Sequence, residues 1–261
     1  MEQPFKRDVI RNDINSLEGR VLTFYLNTDP TSEEWKIRLK NGLKRTEEYQ
    51  EASNPDDKKT LTNIIKKVNL AVRDIQRNLK SSLICFASED TVLLYPVHFP
   101  VDNDFSWGDS ANTKQLEELF KKYERTGVIL LQAHSVTLIT STLGEIEDEV
   151  HYEMDFDTEN WKQYKGLAYG AIISSSANHR DKFERRMKEK ESRWYKSLAP
   201  TIRNYQNEKA WKSIYLVGPA SLAESLRKQL NLKITMEIHR NLASKSSSDV
   251  LKRTIFAPKD E

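Results

Sequence analysis

The chain has 261 residues, of which 41 are Lys or Arg and 39 are Asp or Glu, a net charge of +2 that excludes a uniformly basic nucleic-acid coat. With 38% apolar and 31% charged residues it can bury a core, and its length suits one large domain or two ordinary ones. Its 8 glycines include no adjacent pair and no GxGxxG, so Rossmann and P-loop readings fall.

Met1-Glu2-Gln3-Pro4-Phe5-Lys6 lacks the apolar stretch of a signal peptide. Val21–Leu26 is β-branched and aromatic, and Asn27-Thr28-Asp29-Pro30 ends it like a strand entering a turn. Trp35, Leu39, Leu43 and Thr46 recur at near-helical spacing, which predicts a helix over 33–53. Asn54 then reads as an N-cap, with Pro55 at the first helical position and acids in the first turn. Leu61, Ile65, Val68, Val72, Ile75 and Leu79 follow at alternating steps of four and three, a seam facing one partner. Two long helices joined this tightly should form an antiparallel hairpin packed within the domain.

Strands are expected at 82–87 and 91–97, joined by Glu89-Asp90, and a loop from Pro100 to Asp109. Cys85 lies in the first of these strands as a buried residue; alone, it has no partner for a disulfide within the chain. A helix at 113–124 places Leu116, Leu119, Phe120 and Tyr123 on one face, with Gly127 as its C-cap. A domain boundary is placed there, near residue 126.

The second half opens with strand signals at 128–133, 136–142 and 145–154, followed by a polar, aromatic segment and the apolar run Leu167–Ile173. After Ser174-Ser175-Ser176-Ala177-Asn178-His179 comes a charged helix over 180–199, with Phe183, Met187, Trp194, Leu198 and Ile202 as its apolar stripe. Pro200 should bend or interrupt it. Ile214–Val217 reads as a strand, Gly218-Pro219 opens a helix at 220–230, and a strand at 233–239 and a helix at 247–254 close the chain. The longest aliphatic stretch, Val128–Leu131, is far too short to span a bilayer, so a cytoplasmic protein without membrane contact is expected.

Charge is segregated. Residues 171–261 hold 19 Lys/Arg and 10 Asp/Glu, against 22 and 29 in residues 1–170. The C-terminal part is therefore expected to meet a polyanion and the N-terminal part not to. Eight basic residues stand between Arg180 and Lys196, and Arg180, Lys182, Arg185, Arg186 and Lys188 lead that ridge. Where the loop enters the helix, N-terminal amides add partial positive charge suited to phosphate. A solvated helix face with i,i+4 pairs such as Glu184 with Lys188 is the alternative. Elsewhere there is no HExxH, no GxSxG and no ligand spacing among His98, His134, His151, His179 and His239. Glu147 and Glu149 share a strand face and are either paired carboxylates or a solvated edge.

Asn178-His179-Arg180-Asp181-Lys182-Phe183-Glu184-Arg185-Arg186-Met187-Lys188-Glu189-Lys190 resembles the segment after the Gly-Gly-Gln loop of archaeo-eukaryotic peptide-chain release factors. There a Phe follows the Gln by five residues and starts an Arg-rich helix; Phe183, Arg185, Glu189 and Lys190 match. Ile214–Pro219 resembles that family's strand ending in glycine, and Val128–Leu143 the strand pair opening its middle domain. Val21–Leu26, Arg38-Leu39-Lys40-Asn41 and Leu116–Tyr123 resemble the N-terminal domain of its bacterial branch, the Vms-like ribosome-rescue branch. The resemblance implies two α/β domains. On that resemblance, residues 1–126 are expected to form an N-terminal α/β domain with the helical hairpin, and residues 127–261 an RNase-H-like release-factor middle domain.

It further implies action on the ribosomal large subunit, with rRNA and tRNA as partners and hydrolysis of the peptidyl-tRNA ester by positioned water. Neither a metal nor a nucleotide cofactor is called for. Stop-codon reading is not expected, because the N-terminal half is acidic and carries no recognisable codon-reading motif. Ser176-Ala177-Asn178 stands where the family has Gly-Gly-Gln. Glycine there allows positive φ and close approach to the ester, which Ser176 and Ala177, following Ser175 in the same loop, restrict. Asn178 keeps an amide on a shorter stem, a misplacement near ~1 Å can cost about 100-fold in rate, and His179 could shuttle a proton. A non-catalytic ribosome- or RNA-binding factor is one alternative. An RNA nuclease is another, requiring carboxylates clustered around metal ions.

Overall fold

Val21–Asn27 forms β1, and every residue in it but the last is buried. Burial on both faces explains a continuous apolar run where a half-exposed strand would alternate. A computed structural model describes residues 6–28, 32–53, 55–154, 161–165, 180–242 and 244–257. The side chains of residues 51–53, 55, 56, 161, 164, 165 and 180–189 are outside that description. So are Asn54 and Leu167–Ile173, on which two sequence expectations rest. The fold is mixed α/β, in two compact units, Met1–Lys122 and Tyr123–Glu261.

In the first unit β1 lies in a four-stranded antiparallel sheet with β2 (Ser82–Ala87), β3 (Val92–Val97) and β4 (Asp104–Gly108), in the order β3-β2-β1-β4. β4 occupies what the sequence suggests is a loop. Phe105 stacks on Phe24 at 5.5 Å and sits so close to Gly42 that any Cβ there would overlap its ring. That close approach seats α2 (Glu34–Ser53) on the sheet. α3 (Pro55–Ile75) lies beside it, so the helical hairpin packs within the unit.

Trp35, Leu39 and Leu43 of α2 join Leu61, Ile64, Val68 and Val72 of α3 over Leu22, Phe24 and Leu26. Leu61, Val68 and Val72 are buried as their spacing suggests, but Ile64 is fully buried and Ile65 only partly so, and Ile75 and Leu79 are likewise only partly buried. A short helix not anticipated from sequence, α1 (Arg7–Asn15), buries Ile10. Asp13 accepts a hydrogen bond from the Tyr95 hydroxyl at 2.8 Å. α1 is also tied by the Arg11–Glu117 ion pair, 2.6 Å, to α4 (Lys114–Lys122). Cys85 is fully buried, and burial pushes its thiol up, as suits a strand residue.

The second unit holds β5 (Thr126–Gln132), β6 (Ser135–Thr142), β7 (Glu145–Met154) and β8 (Trp161–Lys165). It continues with α5 (Arg180–Glu208), β9 (Ser213–Val217), α6 (Ala220–Leu230), β10 (Met236–Ile238) and α7 (Ser247–Thr254). The sheet order is β10-β9-β5-β6-β7-β8. β5 to β8 run antiparallel in sequence, whereas β9 is parallel to both β5 and β10.

Gly127 does not cap a helix; it lies inside β5 under the Trp211 ring, where a Cβ would overlap the indole. α5 is not interrupted at Pro200 and runs on to Glu208. Pro200 is exposed, so the Lys196 carbonyl that loses its donor can be satisfied by water. β10 is only three residues long, and β8 was not foreseen as a strand.

Candidate functional site

The sequence-derived site centres on the approach to α5. Ser175, Ser176, Ala177, Asn178 and His179 lie outside the described residues. Arg180, Lys182, Arg185, Arg186 and Lys188 lie on the first turns of α5, whose backbone is helical and whose side chains there are outside the description. What can be built upward is the frame that aims this helix.

Trp194, Tyr195, Leu198, Ala199, Ile202 and Tyr205 seat α5 on Ile129, Leu131, Val136, Leu138, Val150 and Tyr152 of the sheet. Trp194 and Tyr195 are almost wholly buried, with ring centroids 5.0 Å apart. Each large apolar side chain buried in this way contributes roughly 1.5–3 kcal/mol. At the far end, Trp211 packs edge-on to Tyr205 at 5.5 Å. Its indole Nε1 donates to Thr140 Oγ1 at 2.9 Å. Lys209 Nζ meets Asp148 at 2.7 Å. Burial alone would raise the Asp148 carboxyl, but the hydrogen bond and charge of Lys209 hold it below its usual range. Sequence reasoning passed over Trp211, Lys209 and Asp148; the only signal was an aromatic and a cation just after the helix.

α6 sets the reach of α5. It starts at the carboxyl end of β9 and returns alongside, while α5 feeds β9 from the opposite end, so both helices run antiparallel to that strand. Arg203 donates to the carbonyls of Gln229 and Leu230 at 3.1 and 3.3 Å, which sets it level with the end of α6. Counting back the length of α6 brings its start level with about Arg193. α5 therefore continues roughly thirteen residues, about 20 Å at 1.5 Å per residue, past the start of α6. In agreement, Trp194 is the first described side chain of α5 to be buried.

At this same end of the sheet, β9 gives way to Gly218, whose φ is +151°. A Cβ there would stand 2.7 Å from the Leu131 Cβ and 2.9 Å from its carbonyl oxygen, so only glycine lets these two strand ends come together.

The other candidates resolve into structural roles. Glu147 pairs with Arg125 at 2.7 Å, and Glu149 accepts a hydrogen bond from Ser247 at 2.8 Å. Among the described residues no three His, Cys, Asp or Glu side chains gather as a metal site. His151 Nδ1 is 2.9 Å from Thr137 Oγ1, and burial lowers the pKa of both His134 and His151. No helix among the described residues is long and apolar enough to cross a membrane.

Residues 124–256 match the family model for bacterial archaeo-eukaryotic release factor family 5. The chain is 32% identical over 243 residues to the uncharacterized protein YocB of Bacillus subtilis (strain 168), covering 90% of this chain and 92% of that protein. Among solved structures it is similar to an archaeal protein, with TM-score 0.32 and 13% identity over 95% of this chain and 72% of that one. It is similar also to the archaeal translation termination factor aRF1, with TM-score 0.32 and 13% identity over 94% and 71% of the two chains.

Proposed function

Because the chain belongs to bacterial archaeo-eukaryotic release factor family 5, we propose that its translation-related role is ribosome rescue or translation quality control. In this reading the second unit enters the large subunit with residues 174–179 foremost. Arg180, Lys182, Arg185, Arg186 and Lys188 lie along rRNA or tRNA phosphates. The observation that carries it is the run of α5 that continues about 20 Å past the start of α6. A helix anchored at Trp194 and projecting from there can carry its preceding loop into a narrow site.

The strand order supports reading residues 127–261 as an RNase-H-like middle domain: an antiparallel β5-β6-β7 meander, with parallel β9 and β10 added beside β5. Residues 1–126 are the N-terminal domain in the same reading. The chemistry proposed is hydrolysis of the peptidyl-tRNA ester, with the Asn178 amide placing water and His179 moving the proton.

One observation favours a second reading, in which the protein binds the ribosome without catalysis. Ser176 and Ala177 replace the glycines that would let the loop backbone take positive φ. The nuclease reading gains no support from the described residues, where Glu147, Asp148 and Glu149 are engaged by Arg125, Lys209 and Ser247 respectively.

The test is co-sedimentation with 50S and 70S particles across a salt series, followed by incubation with peptidyl-tRNA and with labelled RNA, each with and without EDTA. Ribosome association with EDTA-insensitive peptide release is the expected result. Association without release selects the second reading, metal-dependent RNA cleavage selects a nuclease, and no association at low salt overturns the first two together.

A further inference from the structure

The first unit is not acidic, although residues 1–170 taken together are. Residues 1–122 carry 19 Lys/Arg and 20 Asp/Glu; the acid excess belongs to residues 123–170. Within the first unit the charge is concentrated on α3 and the 3-10 turn that follows it. Together they hold six Lys or Arg against three acids, Asp56, Asp57 and Asp74, and past the first turn of α3, over residues 58–80, seven Lys or Arg stand against Asp74 alone.

Geometry sorts these cations. The buried stripe of α3 is Leu61, Ile64, Val68 and Val72. Lys59, Asn63, Lys66, Leu70 and Arg73 are all exposed, and at 100° per residue they fall on the side diametrically opposite that stripe. Lys59, Lys66 and Arg73 are spaced by seven residues, about 10.5 Å apart along the axis, and Arg77 extends the line into the 3-10 turn. Among the described side chains, the acids on and just before α2 are engaged by other partners. Glu33 pairs with Lys36, Glu34 with Arg38 and Glu48 with Lys44, and Glu47 accepts from Thr62.

We infer that the outer face of α3 is a second RNA-binding surface, one that grips the phosphate backbone of an RNA duplex. A membrane surface does not fit, because the apolar face such a helix would insert is already buried in the core. Nor does an acidic protein, since protein interfaces centre on aromatic and apolar anchors, and this face offers Leu70 alone. Single strands bind by stacking bases on aromatic side chains, and none stands on this face. A straight line of cations with Asn63 among them suits duplex phosphates. The choice of RNA over DNA rests on family membership; the surface itself rests on α3 and not on the placing of α5.

The test is binding of the full chain to a 20-base-pair RNA hairpin across a salt series, by fluorescence anisotropy. Changing Lys59, Lys66 and Arg73 together to Glu should weaken binding at low salt by ~10-fold or more. It should also lower the log–log salt slope by about two to three units, close to one for each phosphate no longer neutralised. The same three changed to Gln should lower the slope equally without charge reversal. Lys114→Glu with Lys121→Glu, equally exposed on α4, should leave the slope unchanged. Melting curves of all variants check that each is folded. An unchanged slope in both α3 variants, or an equal fall in the α4 variant, overturns the surface, and competition by a DNA duplex as strong as by RNA overturns the choice of RNA. Because the readout is naked RNA, failure to bind ribosomes would leave this inference standing, and its failure would leave the ribosome reading standing.

Discussion

At Gly127 the strand passes directly beneath the Trp211 indole, which also satisfies Thr140. Gly127→Ala forces the ring aside and should cost about 1–3 kcal/mol, the usual range for overpacking. Trp211→Ala should cost about 3–5 kcal/mol through the cavity it leaves. The two must be strongly coupled. Once the indole is gone, Gly127→Ala should cost under ~1 kcal/mol, and a double-mutant cycle by urea unfolding reads the difference.

Asp148 carries a pH signature. Its carboxyl is held below the ordinary range in the folded state, so its contribution is present above the unfolded value of about 3.9 and fades as pH falls through the lower folded value. The pair is partly exposed and contributes at most about 1 kcal/mol. Thermal melts should show Asp148→Asn less stable than the native chain at neutral pH. The two curves should merge at acid pH. A gap that persisted below the carboxylate range would mean that the ion pair is not its cause.

Pro200 lets the element scale be tested. It sits inside α5 with its face to water, removing a backbone hydrogen bond that packing elsewhere on the helix outweighs. Pro200→Ala should therefore stabilise the protein, by about 1–3 kcal/mol after allowing for the freer unfolded chain; a lower urea midpoint would refute this. The same residue shows where sequence reading stops. Proline marks a local cost, while Trp194, Leu198 and Ile202 on either side of it are buried and hold the helix whole.

Elements with strong periodicity or unbroken apolar runs were legible: β1, β2, β5, β6, the helical hairpin and α6. Those missed are short and tertiary in origin. α1 reads Arg-Asp-Val-Ile-Arg-Asn-Asp-Ile-Asn and buries only Ile10. In β4, Phe105 and Trp107 do alternate, but Asp104 and Gly108 bound a stretch of five residues. Gly127 looked like a helix stop because nothing local announces a tryptophan 84 residues later. The α3 stripe was hidden by arithmetic, since a charge count over residues 1–170 averages it against the acids of β7 and the residues beyond. Of the candidate site, the residues are proposed from sequence alone, and what the fold adds is the point, at Trp194, from which the described side chains of α5 are buried.

For the whole molecule, the surfaces proposed on α3 and α5 and the proposed site at residues 174–179 make separable predictions. Changing Arg185, Arg186 and Lys188 together to Glu should weaken ribosome binding and flatten its salt dependence, by about one unit of slope for each phosphate no longer neutralised. Asn178→Ala should act oppositely, leaving co-sedimentation nearly intact while abolishing peptide release. Asn178→Gln combined with Ser176→Gly and Ala177→Gly restores both the longer amide and the backbone freedom. If the loop is limited only by geometry, this triple change should raise release by up to about 100-fold, the scale on which a misplacement near ~1 Å acts. Release that stayed at background in the triple variant, with binding preserved, would place the protein among non-catalytic ribosome binders. Binding and salt slope unchanged in the α5 Glu variant would mean that its cations are a solvated helix face, and the site would have to be sought elsewhere on the chain.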